Sequence, residues 1–381
     1  MKTSNIFKLI LVNSFVIVAI LLAAELAAHL LLKFRDGDNF SLVTLSHRVR
    51  QFFSKEKEPE CFVNGDCPEL KELKRSSTKE KYLWTIFNPH RHPPNETFWF
   101  GHPPDSTIVF CEEDDGLISF NTNSYGFREV KNEDLRQPVD AIFIGDSFTE
   151  GSCVPGGTSL PDYVSELHKW NVLNFGVGSS GPLYQYAIFS EILDNPEIKS
   201  SLVDNAKVYW VVFTGNDLWN LRDEKITSLS LYLNNGYSQD HFSRLGKTAR
   251  DRKKYLNELQ DLYLNHGPPG RNLPPWRRGG AGLASVGAVS AELDSWSLVY
   301  DAFLKKAKQN NLELILVVLE NHPRFHKQFM SALEDRIKAE CEHAAHECVR
   351  IDLSAVSGFL TVNGGHLSPR GYKYLAEQII K

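Results

Sequence analysis

Five short runs of apolar residues after position 140 constrain the fold more than any other feature of the chain. They are AIFIGDS at 141–147, VLNFGV at 172–177, KVYWVVFTG at 207–215, LELILVVLE at 312–320 and CVRIDLS at 348–354. Each run is rich in β-branched or aromatic residues and has few polar ones. Strands of this kind are typical of a parallel sheet, because both of its faces are buried.

Amphipathic, helix-like stretches separate these runs. They include SLPDYVSELHKW, GPLYQYAIFSEIL, WSLVYDAFLKKAKQ, SALEDRIKAECEHA and SPRGYKYLAEQII. Alternating strands and helices predict a doubly wound α/β domain with right-handed crossovers and helices on both faces of the sheet. We place this domain at 121–381. A stretch rich in Gly and Pro interrupts the strand rhythm and predicts an insertion at about 221–292.

The segment 34–120, which precedes this domain, is mixed in charge and rich in Lys, Glu and Pro. We interpret it as a tether and cover, and name it the covering segment. Near its end, TIVFCEE and LISFN alternate in hydropathy on either side of Asp114-Asp115-Gly116. This pattern predicts a β-hairpin.

The beginning of the chain carries its longest apolar run. From position 9 to 32 the run is interrupted only by Asn13, Ser14, Glu25 and His29. A helix of this length reaches about 36 Å, enough to cross a hydrocarbon layer of roughly 30 Å. The pattern predicts a short tail at 1–8 and a transmembrane anchor at 9–33, with a cleaved signal peptide as the alternative. Glu25 is then either a contact to a membrane partner or a side chain that reaches the interface near Lys33.

The spacing of the six cysteines indicates the redox environment, and therefore the cellular compartment, in which the chain folds. Two pairs are close in sequence, Cys61 with Cys67 and Cys341 with Cys348, as expected of disulfides in an oxidising environment. Lys and Arg next to the predicted span weakly favour a cytoplasmic main domain, but large domains translocate largely regardless of such charges. We therefore predict a single-pass membrane protein whose main domain is extracytoplasmic, on the periplasmic side.

The segment CEHAAHEC at 341–348 has three interpretations. A disulfide requires the helix to end between the cysteines, because seven residues of continuous helix would separate them by about 10.5 Å. Free thiols are the second interpretation. The third is a metal site with Cys341, His343, His346 and Cys348 as ligands.

The charge balance limits the class of partner. There are 42 Lys and Arg residues against 47 Asp and Glu, the pI is about 6.2, and no long basic run occurs. Nucleic-acid binding requires a concentrated positive surface, so this composition argues against it. A small or neutral substrate fits better.

Residues that can carry chemistry follow the strand-like runs. Ser147 ends I-G-D-S, Gly178 lies in the Gly-rich turn after the second run, and Asn216 lies in T-G-N-D after the third. His366 follows N-G-G just before the last helix. The carboxyl ends of parallel strands meet at one edge of a sheet, so we expect these residues to lie together. They would supply a nucleophile, a general base and donors for an oxyanion.

This order of motifs resembles the SGNH/GDSL hydrolase family, in its membrane-anchored bacterial form, whose four blocks carry Ser, Gly, Asn and His in that sequence. The resemblance covers about 121–381 and includes N-S-Y-G-F-R at 123–128. It implies a flavodoxin-like sheet of five parallel strands and a site without cofactor or metal. Ser147 would be the nucleophile and one oxyanion-hole amide, Asn216 a side-chain donor, and His366 the base.

The chain departs from the family pattern at two positions. The second-block glycine of the family falls where this chain has Ser179, so we assign the oxyanion amide to Gly178, with Ser179 as the alternative. Three residues before the histidine the family has Asp, but this chain has Asn363. We include Asn363 in the catalytic set because its side-chain oxygen can orient the imidazole. It supplies no charge, however, and in a serine triad such a change can cost about 10⁴ in rate. The site then works as a Ser-His dyad, recruits Asp352 or another acid, or is weak.

Three functions follow from these residues. The first is a serine esterase or O-acyltransferase acting on acyl esters of an extracytoplasmic glycan or lipid, with a polysaccharide as a candidate substrate. The second is a catalytically silent carbohydrate-binding or assembly protein that retains the fold, which the missing Asp favours. The third is a metal-dependent enzyme that uses the His and Cys cluster.

Overall fold

Two β-sheets organise the part of the chain that the computed structural model describes. This part is 81–83 and 100–380, apart from 103, 114–115, 135, 226, 235, 246–285, 323–326, 344–345 and 361–364. In the smaller sheet, the strands are β1 Lys81–Leu83, β2 Thr107–Glu113 and β3 Gly116–Asn121. Strands β2 and β3 form an antiparallel hairpin, which confirms that prediction, and β1 adds to it in parallel.

The larger sheet has five strands in the order β5-β4-β6-β7-β8, and all its pairings are parallel. Its strands are β4 Val139–Gly145, β5 Val172–Asn174, β6 Leu202–Phe213, β7 Glu313–Glu320 and β8 Glu347–Asp352. Each contains residues of one of the five apolar runs. The prediction of a five-stranded parallel α/β sheet is confirmed.

Helices connect these strands. They are α1 Ser147–Glu150, α2 Leu160–His168, α3 Pro182–Asp194, α4 Pro196–Ser201, α5 Asp217–Glu224, α6 His241–Arg244, α7 Val286–Gln309, α8 Lys327–His343 and α9 Pro369–Ile379. Two 3-10 helices lie at Ser228–Leu233 and Leu353–Phe359. The described parts of the predicted insertion therefore include α5 from its middle onward, a 3-10 helix, α6 and the first turns of α7.

Strand β6 illustrates why the central strands of this sheet are almost entirely apolar. Trp210 points to one face of the sheet, where its ring stacks on Phe303 of α7 with centroids 4.0 Å apart. Val211 points to the other face and belongs to the same core as Leu375 of α9. Each face is therefore covered by helices, and successive strand residues are buried in turn on opposite sides.

The helix that contains Cys341 ends before Cys348. Helix α8 stops at His343, and β8 starts at Glu347, which brings the two Cα atoms within 5.8 Å and allows a disulfide between Cys341 and Cys348. This confirms the disulfide interpretation of CEHAAHEC. Because the sulfurs bond each other, they do not serve as metal thiolates. Cys61 and Cys67 lie outside the described residues.

The predicted membrane anchor at 9–33, with Glu25, lies outside the described residues. Within the part that is described, no helix is both long and apolar enough to cross a membrane. This finding contradicts the predicted localisation as a single-pass membrane protein with a periplasmic main domain.

Candidate active site

Ser147 lies where the buried strand β4 turns into the short helix α1. Asp146 caps this helix, its Oδ1 accepting a hydrogen bond from the amide of Phe148 at 2.9 Å. Ser147 is 8% exposed, so its hydroxyl borders solvent while the rest of the turn is buried. The amides of Phe148, Thr149 and Glu150 are all bonded to Asp146, so the backbone donor next to the Ser147 hydroxyl that could face an oxyanion is the amide of Ser147 itself.

Two glycines let α1 pack directly against the strand ends. A Cβ on Gly176 would lie 2.3 Å from the backbone nitrogen of Glu150, and one on Gly145 would lie 2.2 Å from Thr149 Oγ1. Non-bonded atoms do not approach each other this closely. The absence of side chains at these two positions therefore allows α1, and with it Ser147, to lie directly against the strand ends.

His366 precedes α9, whose first turn is capped by the Ser368 hydroxyl and begins with Pro369. Its Nε2 lies 2.9 Å from Ser147 Oγ, a contact between residues 219 positions apart. The imidazole also packs against Phe148, with ring centroids 5.2 Å apart. The structure thus brings the two principal sequence-predicted residues into the geometry of a nucleophile and its general base.

Asn216 follows β6 and contacts the residue next to the serine. Its Nδ2 donates a hydrogen bond to Asp146 Oδ2 at 3.2 Å, which leaves its second N–H for another acceptor. Burial raises the pKa of Asp146 to about 6, while the Phe148 amide, the charge of His366 and the Asn216 amide act in the opposite direction. Burial and the neighbouring Asp146 also raise the pKa of Asp217 well above its usual value.

In the second-block turn, residues 178–181, the structure does not favour Gly178 as the predicted oxyanion donor. The amide of Gly178 donates to Glu150 Oε2 at 3.1 Å, so it is already engaged by a buried carboxylate. Ser179, at the position where the resembling family has glycine, has a φ of +64°, in the left-handed region that favours glycine. Because Glu150 engages the Gly178 amide, the predicted alternative, Ser179, becomes the candidate oxyanion donor of this turn.

Glu224 holds the far end of the second-block turn, and sequence reasoning missed it. Its carboxylate accepts the amides of Gly181 at 2.5 Å, Leu183 at 3.1 Å and Tyr184 at 3.2 Å. Gly181 is the N-cap of α3 and has no side chain of its own, so Glu224 supplies the capping oxygens. Burial raises its pKa to about 7 despite these amides. No sequence pattern marks this role, because the three amides lie 40 to 43 positions away from Glu224 along the chain.

Arg128, the last residue of N-S-Y-G-F-R, supports the loop that follows α1. Its guanidinium donates to the carbonyls of Gly151 at 2.5 Å, Val154 at 3.1 Å and Pro155 at 2.7 Å. The side chain is 1% exposed and lies over the ring of Phe120. The motif thus links the covering segment to the loop behind the nucleophile.

Asn363 and Asp352 are the two predicted partners of His366, and the structure describes only the second. Asn363 lies outside the described residues, so its place in the catalytic set stays a prediction. Asp352 accepts the amide of Ser354 at 2.8 Å and caps a 3-10 helix. Among the described residues, no carboxylate is hydrogen-bonded to His366.

A surface cleft of about 540 Å³ lies beside the loop after α1. Lys131, Gly157 and Thr158 line it, together with neighbouring residues. Neither Ser147 nor His366 does so, and the cleft is therefore separate from the reacting groups.

No family model matches the chain, and no curated protein matches it. Among solved structures, it is similar to a protein of the G-D-S-L family from Desulfitobacterium hafniense DCB-2, described as lipolytic. That match has 15% identity and a TM-score of 0.36, and covers 62% of this chain and 95% of the other. A family two carbohydrate esterase from Clostridium thermocellum, solved in complex with cellohexaose, is similar at 8% identity and a TM-score of 0.33. It is matched over 64% of this chain and 63% of the esterase, less than two thirds of that protein's length. The first of these proteins carries the name of the family that the motifs resemble, but TM-scores of this size carry no conclusion about function.

Proposed function

We propose that the protein is a serine esterase or O-acyltransferase that acts on acyl esters. The observation that carries this proposal is the 2.9 Å contact between His366 Nε2 and Ser147 Oγ at the carboxyl end of a parallel sheet. In the first step, Ser147 Oγ bonds to the ester carbonyl carbon and its proton passes to His366 Nε2. The alcohol then leaves with that proton, and the acyl group remains on Ser147.

This proposal assigns three donors to the oxyanion. They are the backbone amide of Ser147, the backbone amide of Ser179 in place of Gly178, and the second N–H of the Asn216 side chain. Each donor of this kind contributes roughly 10²–10³ in kcat when it is held in place before the reaction. Asp146 supports the third by accepting the other N–H of Asn216.

The second step decides between hydrolase and transferase. His366 takes a proton from either water or an alcohol, such as a sugar hydroxyl, and that oxygen bonds to the acyl carbon. The bond between the acyl group and Ser147 then breaks, and the proton passes from His366 to Ser147 Oγ. The chemistry of the serine site is the same for both acceptors. We propose a glycan or lipid ester as the substrate.

The test is hydrolysis of p-nitrophenyl acetate and butyrate by the purified protein, with and without added oligosaccharide acceptors. We expect turnover that is abolished in Ser147→Ala, and an acceptor-dependent rise in product release if the protein is a transferase. Full activity in Ser147→Ala would contradict the mechanism.

The catalytically silent binding protein is the second candidate, and Asn363 in place of the usual Asp favours it. A fluorophosphonate probe separates the two functions, because it modifies a serine only when that serine is activated. We expect an adduct on Ser147 that His366→Ala prevents. Its absence from the wild-type protein would favour binding without catalysis.

A further inference from the structure

Two buried carboxylates that the mechanism does not use hold the second-block turn at its two ends. Glu150 accepts the amide of Gly178, and Glu224 accepts the amide of Gly181, at 3.1 and 2.5 Å. Both glutamates are buried, at 0% and 3% exposure. Together the two carboxyl groups accept four backbone amides, those of Gly178, Gly181, Leu183 and Tyr184, so both ends of the turn are fixed by buried hydrogen bonds.

Glu150 is itself held from the opposite side. His102 Nε2 lies 2.5 Å from Glu150 Oε1, and His102 is 1% exposed. The backbone amide of His102 donates to the carbonyl of Gly126 at 2.7 Å, and its ring packs edge-on against Phe120. One oxygen of Glu150 is thus engaged by the covering segment and the other by the second-block turn.

Two residues, Ser179 and Ser180, lie between these clamped amides, and Ser179 is the one in the left-handed conformation. Its φ of +64° is costly for a residue with a Cβ and persists only where the surroundings enforce it. Ser180, the next residue, donates from its hydroxyl to the carbonyl of Gly145 at 3.1 Å. The direction of the Ser179 N–H is therefore set by contacts on either side of it.

The placement of Glu150 has a cost that requires an explanation. It lies three residues after Ser147, and a negative charge so near the nucleophile opposes the negative charge of an oxyanion. A residue that only filled space there would be better replaced by an apolar side chain. One oxygen of Glu150 contacts His102 Nε2, and the other accepts the amide of Gly178.

We infer that Glu150 and Glu224 are positioning residues that fix the Ser179 amide for the oxyanion, and that His102 holds Glu150 in place for this purpose. The inference rests on the proposed function, since it assigns a role within that site. It also connects the covering segment, through His102, to the rate of the reaction.

The first experiment separates kcat from KM for short acyl esters. Glu150→Ala should lower kcat by about 10²-fold or more, with KM within about threefold, because the loss is in transition-state stabilisation. Glu150→Gln should retain most of the activity, since its amide oxygen can still accept from Gly178 and its amide nitrogen can donate to His102. A trifluoromethyl ketone, which forms an oxyanion on Ser147, should lose affinity for Glu150→Ala in parallel with kcat.

The matched control is Glu191, another buried carboxylate that grips a loop. It accepts the amides of Gln239 at 2.6 Å and His241 at 2.8 Å, and also the Tyr232 hydroxyl. Glu191→Ala should destabilise the protein while leaving kcat of the folded fraction within about threefold of the wild type. Equal losses of kcat in Glu150→Ala and Glu191→Ala would overturn the positioning role.

The second experiment does not depend on activity. Amide hydrogen exchange in residues 174–184 should be at least about tenfold faster in Glu150→Ala than in the wild type, with strand β6 unchanged, because buried amides lose their acceptor. If Glu150→Ala fails to fold, His102→Ala carries the same test, with faster exchange of this segment and a loss of about tenfold in kcat. Unchanged exchange would overturn the inference. An inactive wild-type protein in which the variant still exchanges faster would instead refute only the proposed function.

Discussion

The side-chain amide of Asn216 donates a hydrogen bond to the carboxylate of Asp146, with Nδ2 and Oδ2 3.2 Å apart. An ionised carboxylate only accepts, so the contact determines that the nitrogen of Asn216, and not its oxygen, faces the serine turn. Asp146 at the same time caps α1 through the amide of Phe148. One buried acid thereby orients both the nucleophile and a donor of the proposed oxyanion hole.

The first prediction concerns this pair. Asn216→Ala should lower kcat by about 10²–10³, because it removes one oxyanion donor. Asp146→Asn should have a smaller effect, about tenfold, since the new amide can face Asn216 with either end and no longer selects one orientation. Steady-state kinetics on a short acyl ester measures both. The prediction is wrong if Asn216→Ala retains more than half of the wild-type kcat.

The second prediction concerns Ser147 and His366 as a unit. Ser147→Ala and His366→Ala should each lower kcat by at least about 10³, and the double variant should be no slower than the slower single variant, because either loss disables the same step. His168→Ala is the control, since this histidine stacks on Trp170 at the end of α2. Multiplicative losses in the double variant would show that the two residues act independently.

The third prediction concerns Asn363, where the resembling family has Asp. Asn363→Asp should raise kcat, by up to about 10⁴, because an Asp at this position stabilises the imidazolium form of the base. The same substitution in a His366→Ala background should have no effect. A lower or unchanged kcat in the single variant would indicate that His366 obtains its support elsewhere.

The fourth prediction is a pH dependence of stability. Burial raises the pKa of Glu224 from 4.5 to about 7, so between these values the folded protein holds a proton that the unfolded chain has released. The stabilisation of the folded state by protonated Glu224 is fully present below about pH 4.5, and it is lost as the pH rises through 7. The stability difference between wild type and Glu224→Gln should therefore change by an amount on the order of 3 kcal/mol across this range.

Urea denaturation at pH 4.5 and 7.5 measures this change, and the comparison within each buffer cancels the contributions of other groups. Leu298→Ala, at a 62% exposed position of α7, serves as a control that should shift stability equally at both pH values. A difference between wild type and Glu224→Gln that does not vary with pH would contradict the prediction.

The fifth prediction concerns Arg128. Arg128→Met leaves the buried carbonyls of Gly151 and Val154 and the partly buried carbonyl of Pro155 without this donor, and should destabilise the fold by about 3 kcal/mol. Arg128→Lys should recover little of this, because an ammonium group cannot reach three carbonyls in the geometry of a guanidinium. Arg136→Met is the control, since Arg136 is exposed and its contact with Asp134 faces solvent, where ion pairs add little. Equal effects of Arg128→Met and Arg136→Met on urea denaturation would refute the structural role of Arg128.

The large sheet could be predicted because its strands are buried on both faces, which leaves an unambiguous apolar pattern. Strand β6 also shows the limit of this signal. It begins at Leu202, five residues before the apolar run at 207, and its first residues include the exposed Asp204 and Asn205. Leu202 pairs with Val139 of β4 ahead of an irregularity in the ladder, and backbone pairing of this kind has no signature in side-chain hydropathy.

The contact between Ser147 and His366 could be predicted because the motifs determine which residues follow which strand. The residues that hold the second-block turn could not. Glu150 contacts His102 across 48 positions and Gly178 across 28 positions, and neither contact leaves a periodic trace in the sequence. The choice between Gly178 and Ser179 depends on which amide Glu150 engages, and only the folded chain determines that.

Ser147 and His366 follow strands that differ in position, one inside the sheet and one at its edge. Ser147 follows β4, which has a neighbouring strand on each side, whereas the chain reaches His366 from β8, a strand at the edge of the sheet. Elements at an edge open more readily than those in the middle of a sheet. Partial unfolding that starts at this edge would withdraw the base first and leave the serine in place, and the bond between Cys341 and Cys348 fastens the beginning of that edge strand to its preceding helix. The lifetime of the competent state thus depends on a covalent link remote from the reacting atoms.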